Sequence, residues 1–282
     1  MKILKGLSFF VLLNALLGAC FDQPEYSVVP EIEFRDIVFI DSPDPIDFDT
    51  VTISLDFKDG DGDLGLGPDT LRRPFHPSNY FLQNGSLSDL QEIPVEEKYS
   101  DTPPVAYLAG ESGKLITLET RKKAGFESLP PYDECYYEAT QLAISEPYQY
   151  VIENINSIKD TLHSSKDLPD LYIVEDTFYY KKNPYHINIE VAWLVKNEST
   201  GNYTEFDWTT LTCVSPFEAR FPVLSDKKRP TEGTLTYHMQ STGFLPVFSN
   251  KVLKLRIFIR DRALHESNVV ESKDFILNNI KR

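Results

Sequence analysis

The stretch VTISLDFKDGDGDLGLG runs from Val51 to Gly67. In its first half Val51, Ile53, Leu55 and Phe57 alternate with Thr52, Ser54, Asp56 and Lys58. A period of two sends successive side chains to opposite faces, so this is a half-buried strand of an antiparallel sheet. In the second half Asp59, Asp61 and Asp63 are interleaved with Gly60 and Gly62. Glycine admits backbone angles closed to other residues, so the strand must end there in a tight turn.

The same alternation recurs along the chain. Ile187, Ile189, Val191, Trp193 and Val195 form one row, Leu235, Tyr237 and Met239 another, and Leu253, Leu255, Ile257 and Ile259 a third. Ile32 and Phe34 alternate, but Ile37 and Phe39 have the opposite parity, which predicts a bulge or a first strand that crosses between sheets. Asn197–Asn202 (NESTGN) reads as a hairpin loop, and Asp261–Ser267 (DRALHES) as the turn before a last strand. Seven strands are expected, near 31–40, 50–58, 187–196, 203–208, 232–240, 252–260 and 268–277. That is the number and character of an immunoglobulin-like antiparallel β-sandwich, with strands A, B, C, C′, E, F and G.

Residues 68–185, between B and C, are too many for a structureless loop and read as an insertion with structure of its own. A helix is expected there, with Ser145 as N-cap, Pro147 in its first turn, and Ile152, Ile155, Ile158 and Leu162 on one face. The alternative is two β domains with a boundary near 165–170.

The N-terminus reads as a leader. Lys2 and Lys5 precede an apolar run from Leu7 to Leu17 that is too short to span a bilayer, and Gly18, Ala19 and Cys20 follow. This resembles a bacterial lipoprotein signal. The resemblance implies a signal peptide over 1–19, acylation of Cys20 (palmitate among the chains), and a lipidated tether over 20–30. The competing reading is an ordinary leader with a chance cysteine. Phe21 stands where an Asp would imply inner-membrane retention, so an outer-membrane address fits better. Loss of Lys2 and Lys5 takes the net charge from −15 to −17. A surface this acidic repels nucleic acid and anionic lipid but suits divalent cations. Cys135 and Cys213 remain, as a disulfide or as two small buried thiols.

Calcium takes six to eight oxygens and accepts carboxylates at alternate positions of a tight loop. Asp59, Asp61 and Asp63 have that spacing, yet Leu64 and Thr70 stand where an EF-hand needs Gly and Glu. In an immunoglobulin-like fold the B–C and F–G loops leave the same end, so Asp261 and Glu266 are the expected further ligands. The alternative is an acidic turn without metal, with Asp261 paired to Arg260 or Arg262.

The sequence Pro30-Glu31-Ile32-Glu33-Phe34, then Phe57 through Leu66, then Asp261-Arg262-Ala263 with Ser267-Asn268, resembles outer-membrane lipoproteins of Bacteroidota-type bacteria. The resemblance implies an immunoglobulin-like lipoprotein, lipid-anchored in the outer membrane and facing outward. It implies no reaction. Asp49-Thr50-Val51, Asp69-Thr70-Leu71 and Asp160-Thr161-Leu162 resemble the O-glycosylation signal of such bacteria.

No local motif for catalysis is present: the five histidines form no HExxH pair, and there is no GxSxG. The chain is therefore expected to be a non-catalytic binding module for a glycan or an outer-membrane protein. Tyr132, Tyr136 and Tyr137, or Phe178, Tyr179, Tyr180 and Tyr185, are the candidate platform, unless they pack a core. The second reading is an accessory subunit of an outer-membrane transport or assembly complex.

Overall fold

The computed structural model describes residues 24–282 except 43–46, 69, 71–73, 84–89, 94, 100–104, 109–113, 145–157, 163–170, 209–216 and 226–227. In chain order the strands are β1 (Glu31–Ile40), β2 (Asp49–Asp59), β3 (Ser78–Gln83), β4 (Leu90–Ile93), β5 (Val95–Tyr99), β6 (Val105–Leu108), β7 (Lys114–Leu115) and β8 (Tyr137–Ile144). There follow β9 (Ile158–Leu162), β10 (Leu171–Lys182), β11 (Ile189–Lys196), β12 (Tyr203–Glu205), β13 (Thr231–Ser241), β14 (Leu253–Ile259) and β15 (Val270–Glu271).

The protein is mainly β. Two antiparallel sheets, ordered β1-β2-β13 and β12-β11-β14-β15, share one core. That order joins the strands named A, B and E in one sheet and C′, C, F and G in the other. The period of two in the sequence is the reason the core exists. Val51, Ile53, Leu55 and Phe57 of β2 face inward, as do Ile189, Val191 and Trp193 of β11 and Leu253, Leu255, Ile257 and Ile259 of β14. Trp193 is fully buried at the centre, with Phe248 stacked on it at 5.1 Å and 3° and Phe244 at 5.1 Å and 29°.

The parity switch in β1 is a bulge. Its register against β2 shifts between Phe34 and Asp36, and the extra residue lets Ile32, Phe34, Ile37 and Phe39 all pack on the core. The NESTGN loop closes β11 onto β12, with Asn197 N–H donating to Asn202 O at 2.8 Å.

The last strand is shorter than expected, and side chains complete its ladder. Ser267 Oγ accepts from Ile259 N–H and Ser272 Oγ from Leu255 N–H, each where the backbone of a regular strand would serve. The Asn268 amide both accepts from Ile32 N–H and donates to Ile32 O, at 2.8 Å each, which ties the final segment to β1. The C-terminus then runs parallel beside Phe39, bonded through Ile280 O and Arg282 N–H.

Strands β3 to β10 form a separate sheet, ordered β4-β3-β10-β8-β6-β5, with β7 on β3 and β9 on β10. Its small core holds Phe81, Ile116, Phe126, Leu129, Tyr137 and Tyr179. β10 pairs with β3, β8 and β9, so strands that precede and follow positions 165–170 belong to one sheet. The helix expected to run through Leu162 is corrected at its end, where Ile158–Leu162 is a strand paired with β10. Ile158 and Leu162 are four apart, which suits a helical face and a strand face alike, and pairing with β10 decides between them. The rest of that expected helix, 145–157, lies outside the described residues.

The two connections of this sheet to the sandwich are bonded together. Asn183 N–H donates to Pro77 O and its Nδ2 to Pro74 O and His76 O, while His186 Nδ1 meets Phe75 O at 2.9 Å. Among the described residues no helix is long and apolar enough to cross a membrane.

Candidate metal centre

β2 ends at Asp59, whose side chain points into the body of the protein and is wholly buried. The chain then turns through Gly62 (φ 71°) and Gly65 (φ 95°), both in the left-handed region that favours glycine. Asp63 N–H donates to Asp59 Oδ2 at 2.9 Å, which winds the turn back on its own first carboxylate. The turn is held on two further sides. Leu64 forms an antiparallel bridge with Asp261 at the end of β14, and Arg262 N–H donates to Asp63 O. Leu66 N–H donates to Phe221 O and Leu224 N–H to Leu64 O. A Cβ on Gly65 would stand 2.1 Å from Pro222 O, so this close approach needs glycine.

Folding thus brings Asp59, Asp63 and Asp261 together, with one carboxylate oxygen from each lying within 4.8 Å of the others. Opposing ligands of a calcium ion stand at most about 5 Å apart, twice its bond length. Asp261 is 1% exposed. Asp61 is not one of those three. Its charge raises Asp59 and Asp63, and its Oδ1 is buried without a hydrogen-bond partner, as are Asp59 Oδ1 and Asp63 Oδ1. Burial, and then the charges of Asp261, Asp61 and Asp59, push the Asp63 carboxyl up to about 6. Burial likewise raises Asp59. A buried carboxylate oxygen without a partner costs about 1–3 kcal/mol, more when its neighbours carry the same charge. A divalent cation among these oxygens would remove both penalties.

The structure adds His265, which the spacing did not single out, and corrects the alternative partners of Asp261, since Arg260 pairs with Glu190 and Glu266 and Arg262 lies on carbonyls of the turn. His265 bonds both oxygens of Asp261, its backbone N–H to Oδ1 at 2.7 Å and its Nδ1 to Oδ2 at 2.8 Å. The bond to Asp261 also raises the imidazole's pKa. Arg262 donates to Gly65 O and Gly62 O, which places its charge beside the turn, where it partly offsets the acids around Asp63. The signal for His265 was its place four residues after Asp261, a separation that becomes contact only in a closed turn. Glu266 does not join the cluster. It pairs with Arg260 at 3.0 Å, and Arg260 also pairs with Glu190 at 2.5 Å.

No family model matches this chain. No curated protein or solved structure matches it either.

The remaining expected sites fall in different places. Cys20 and Cys213 lie outside the described residues. Cys135 is disulfide-bonded. The aromatic runs divide by depth: Tyr137, Phe178, Tyr179 and Tyr180 are buried packing, whereas Tyr132, Tyr136 and Tyr185 are exposed. Each run is thus divided between buried packing and exposed rings.

Proposed function

We propose that the protein is a non-catalytic binding module, anchored to the outer membrane by acyl chains on Cys20, with calcium at Asp59, Asp61, Asp63 and Asp261 stabilising its sandwich. The observation that carries the cation is the burial of Asp59 Oδ1, Asp61 Oδ1 and Asp63 Oδ1 without hydrogen-bond partners beside Asp261. A divalent cation would offset the repulsion in such a cluster more fully than Arg262 does. Calcium fits better than magnesium because the donors are several carboxylates on a turn, where magnesium keeps most of its waters. The strand order β1-β2-β13 and β12-β11-β14-β15 supports reading the sandwich as immunoglobulin-like, with the β3–β10 sheet inserted between its second and third strands. The anchor and the address rest on Leu17-Gly18-Ala19-Cys20-Phe21 and on the resemblance in the strand and turn motifs.

The test is thermal unfolding of the full chain in detergent, in EDTA and in millimolar calcium, beside an Asp61→Asn/Asp63→Asn variant. A ligand bound only by the folded state stabilises it by mass action, about 2.7 kcal/mol at a hundred times Kd. The native chain is expected to melt higher in calcium and the variant to show no rise. Equal midpoints for the native chain in both buffers would make the turn a structural one and refute the cation.

A further inference from the structure

We infer that the cation cluster controls how firmly the inserted sheet is rooted on the sandwich, an inference that rests on the calcium reading above. The acidic turn is the path by which the chain leaves β2 for the inserted sheet. Its last part is held by Leu66 N–H on Phe221 O, and Arg220 Nη2 donates to Thr70 O just beyond. The returning segment is held by the residue next to Asp261. Arg260, 8% exposed, pairs through its guanidinium with Glu190 and Glu266, donates to Pro184 O at 3.3 Å, and lies over the Tyr185 ring at 6.0 Å. Arg260 N–H also donates to Asn188 O. Consecutive residues of one strand end, Arg260 and Asp261, therefore hold the inserted sheet's root and the cation cluster.

The coupling follows from what four like charges do. Without a cation, Asp59, Asp61 and Asp63 repel Asp261, and the force bears on the Leu64–Asp261 bridge. Yielding there displaces Arg260 from Pro184 and loosens the departing turn at the same time. A cation reverses the force and draws the two loops together. The root encloses a cleft of about 680 Å³ between the inserted sheet and the sandwich, lined by Ser78, Glu138, Tyr180, Lys182, His186 and Glu218. Its volume lies in the range of small-molecule sites, and it sits at a junction between two packed units, where such sites concentrate. The cation thus sets the width of this cleft from a distance, through two rigid strand ends rather than by touching its walls.

Amide hydrogen exchange on the full chain in detergent, with calcium or EDTA, reads this out. Calcium titration calorimetry on the same sample establishes binding. Calcium is expected to slow exchange at Leu66, beside the cluster, and also at Asn183, His186 and Asn188, by at least about fivefold, the lower end of ordinary coupling between sites. Arg260→Lys keeps the charge against Glu190 and Glu266 but not the reach of the guanidinium. That variant is expected to bind calcium as the native chain does while losing the calcium effect at 183–188. Binding with slowing at Leu66 and none at 183–188 in the native chain would overturn the coupling and leave the calcium site standing. Absence of calcium binding would overturn both. The native comparison stands by itself if Arg260→Lys fails to fold.

Discussion

Leu264 has a φ of 69°, and among the described residues it is the one non-glycine residue with a positive φ. It completes the turn in which Leu264 N–H donates to Asp261 O, and the two residues together present His265 to the Asp261 carboxylate. The left-handed region costs a residue such as leucine about 1–2 kcal/mol, and asparagine tolerates it better. Leu264→Asn should therefore stabilise the protein by roughly 0.5–1 kcal/mol, checked by urea unfolding. His265 orients Asp261 much as outer-shell partners orient metal ligands elsewhere. His265→Ala should weaken calcium binding about 10- to 100-fold, measured by calorimetry at constant pH. Unchanged affinity would make His265 a purely structural cap. Asp63 supplies the pH dependence. Its carboxyl titrates at about 6 in the folded chain, against about 3.9 in an unfolded one. The folded state holds that proton more tightly, so its contribution is full below pH 4 and is lost as pH rises through 6. In EDTA the native chain should gain stability on going from pH 7 to pH 5 relative to Asp63→Asn, and calcium should erase the difference. Of these residues Asp59, Asp63 and Asp261, which the structure brings together, were legible from the sequence, through alternation and the shared end of two loops. His265 was not, and Arg262 was read only as a partner of Asp261, because their roles come from closure of a turn.

At the scale of elements the acidic turn and the last strand each rely on one kind of substitution for regular structure. In the turn it is glycine. Gly65→Ala meets both a positive φ and the Pro222 carbonyl, so a loss of roughly 2–5 kcal/mol is expected. Gly201, equally left-handed but with nothing near its Cβ position, should lose only about 1 kcal/mol as alanine. Parallel denaturant titrations of the two variants make the comparison. In the last strand it is serine. Ser272, 4% exposed, accepts from Leu255 N–H and itself donates to Lys273 O. Alanine there strands a buried amide, at a cost of about 1–3 kcal/mol. The main strands could be read from the sequence because β2, β11, β13 and β14 keep one parity along their length and the switch of parity in β1 marks its bulge. β15 was overestimated because serine side chains, invisible to a hydrophobic pattern, stand in for its backbone. The inserted sheet resisted reading for a different reason. Its strands are short, it mixes antiparallel pairs with the parallel pair β6–β8, and its order departs from sequence order. Local alternation says little about such pairings.

For the whole molecule the charge and the architecture point the same way. A chain of net charge −15 gathers four of its acids at one end, with Asp59 and Asp261 buried and Asp61 and Asp63 half-buried, where solvent screens them poorly. Their repulsion is tolerable only if the ends of β2 and β14 are held from elsewhere, and they are, by the Phe221–Leu224 segment and by the Arg260 pairs. At the other terminus, Lys281 pairs with Asp41 and Arg282 with Asp36, beside the backbone bonds to Phe39. Those pairs are exposed and contribute little, whereas the backbone bonds close an edge of β1. The proposed anchor belongs to this scale as well. Cells fed a radiolabelled palmitate should label the native chain and not Cys20→Ala, and the variant should fractionate away from membranes. Labelling that persists in Cys20→Ala would place the acyl group elsewhere.

The chain has only two tryptophans, and Trp193 and Trp208 meet edge to face, 6.4 Å apart, in the aromatic centre of the sandwich. Intrinsic emission above the tyrosine band therefore originates wholly from that core, and the inserted sheet is dark at those wavelengths. A melt followed by tryptophan emission times the collapse of the sandwich alone. The same melt followed by far-ultraviolet ellipticity sees all three sheets. The gap between the two curves, measured with and without calcium on one unlabelled sample, counts how many cooperative units the protein contains.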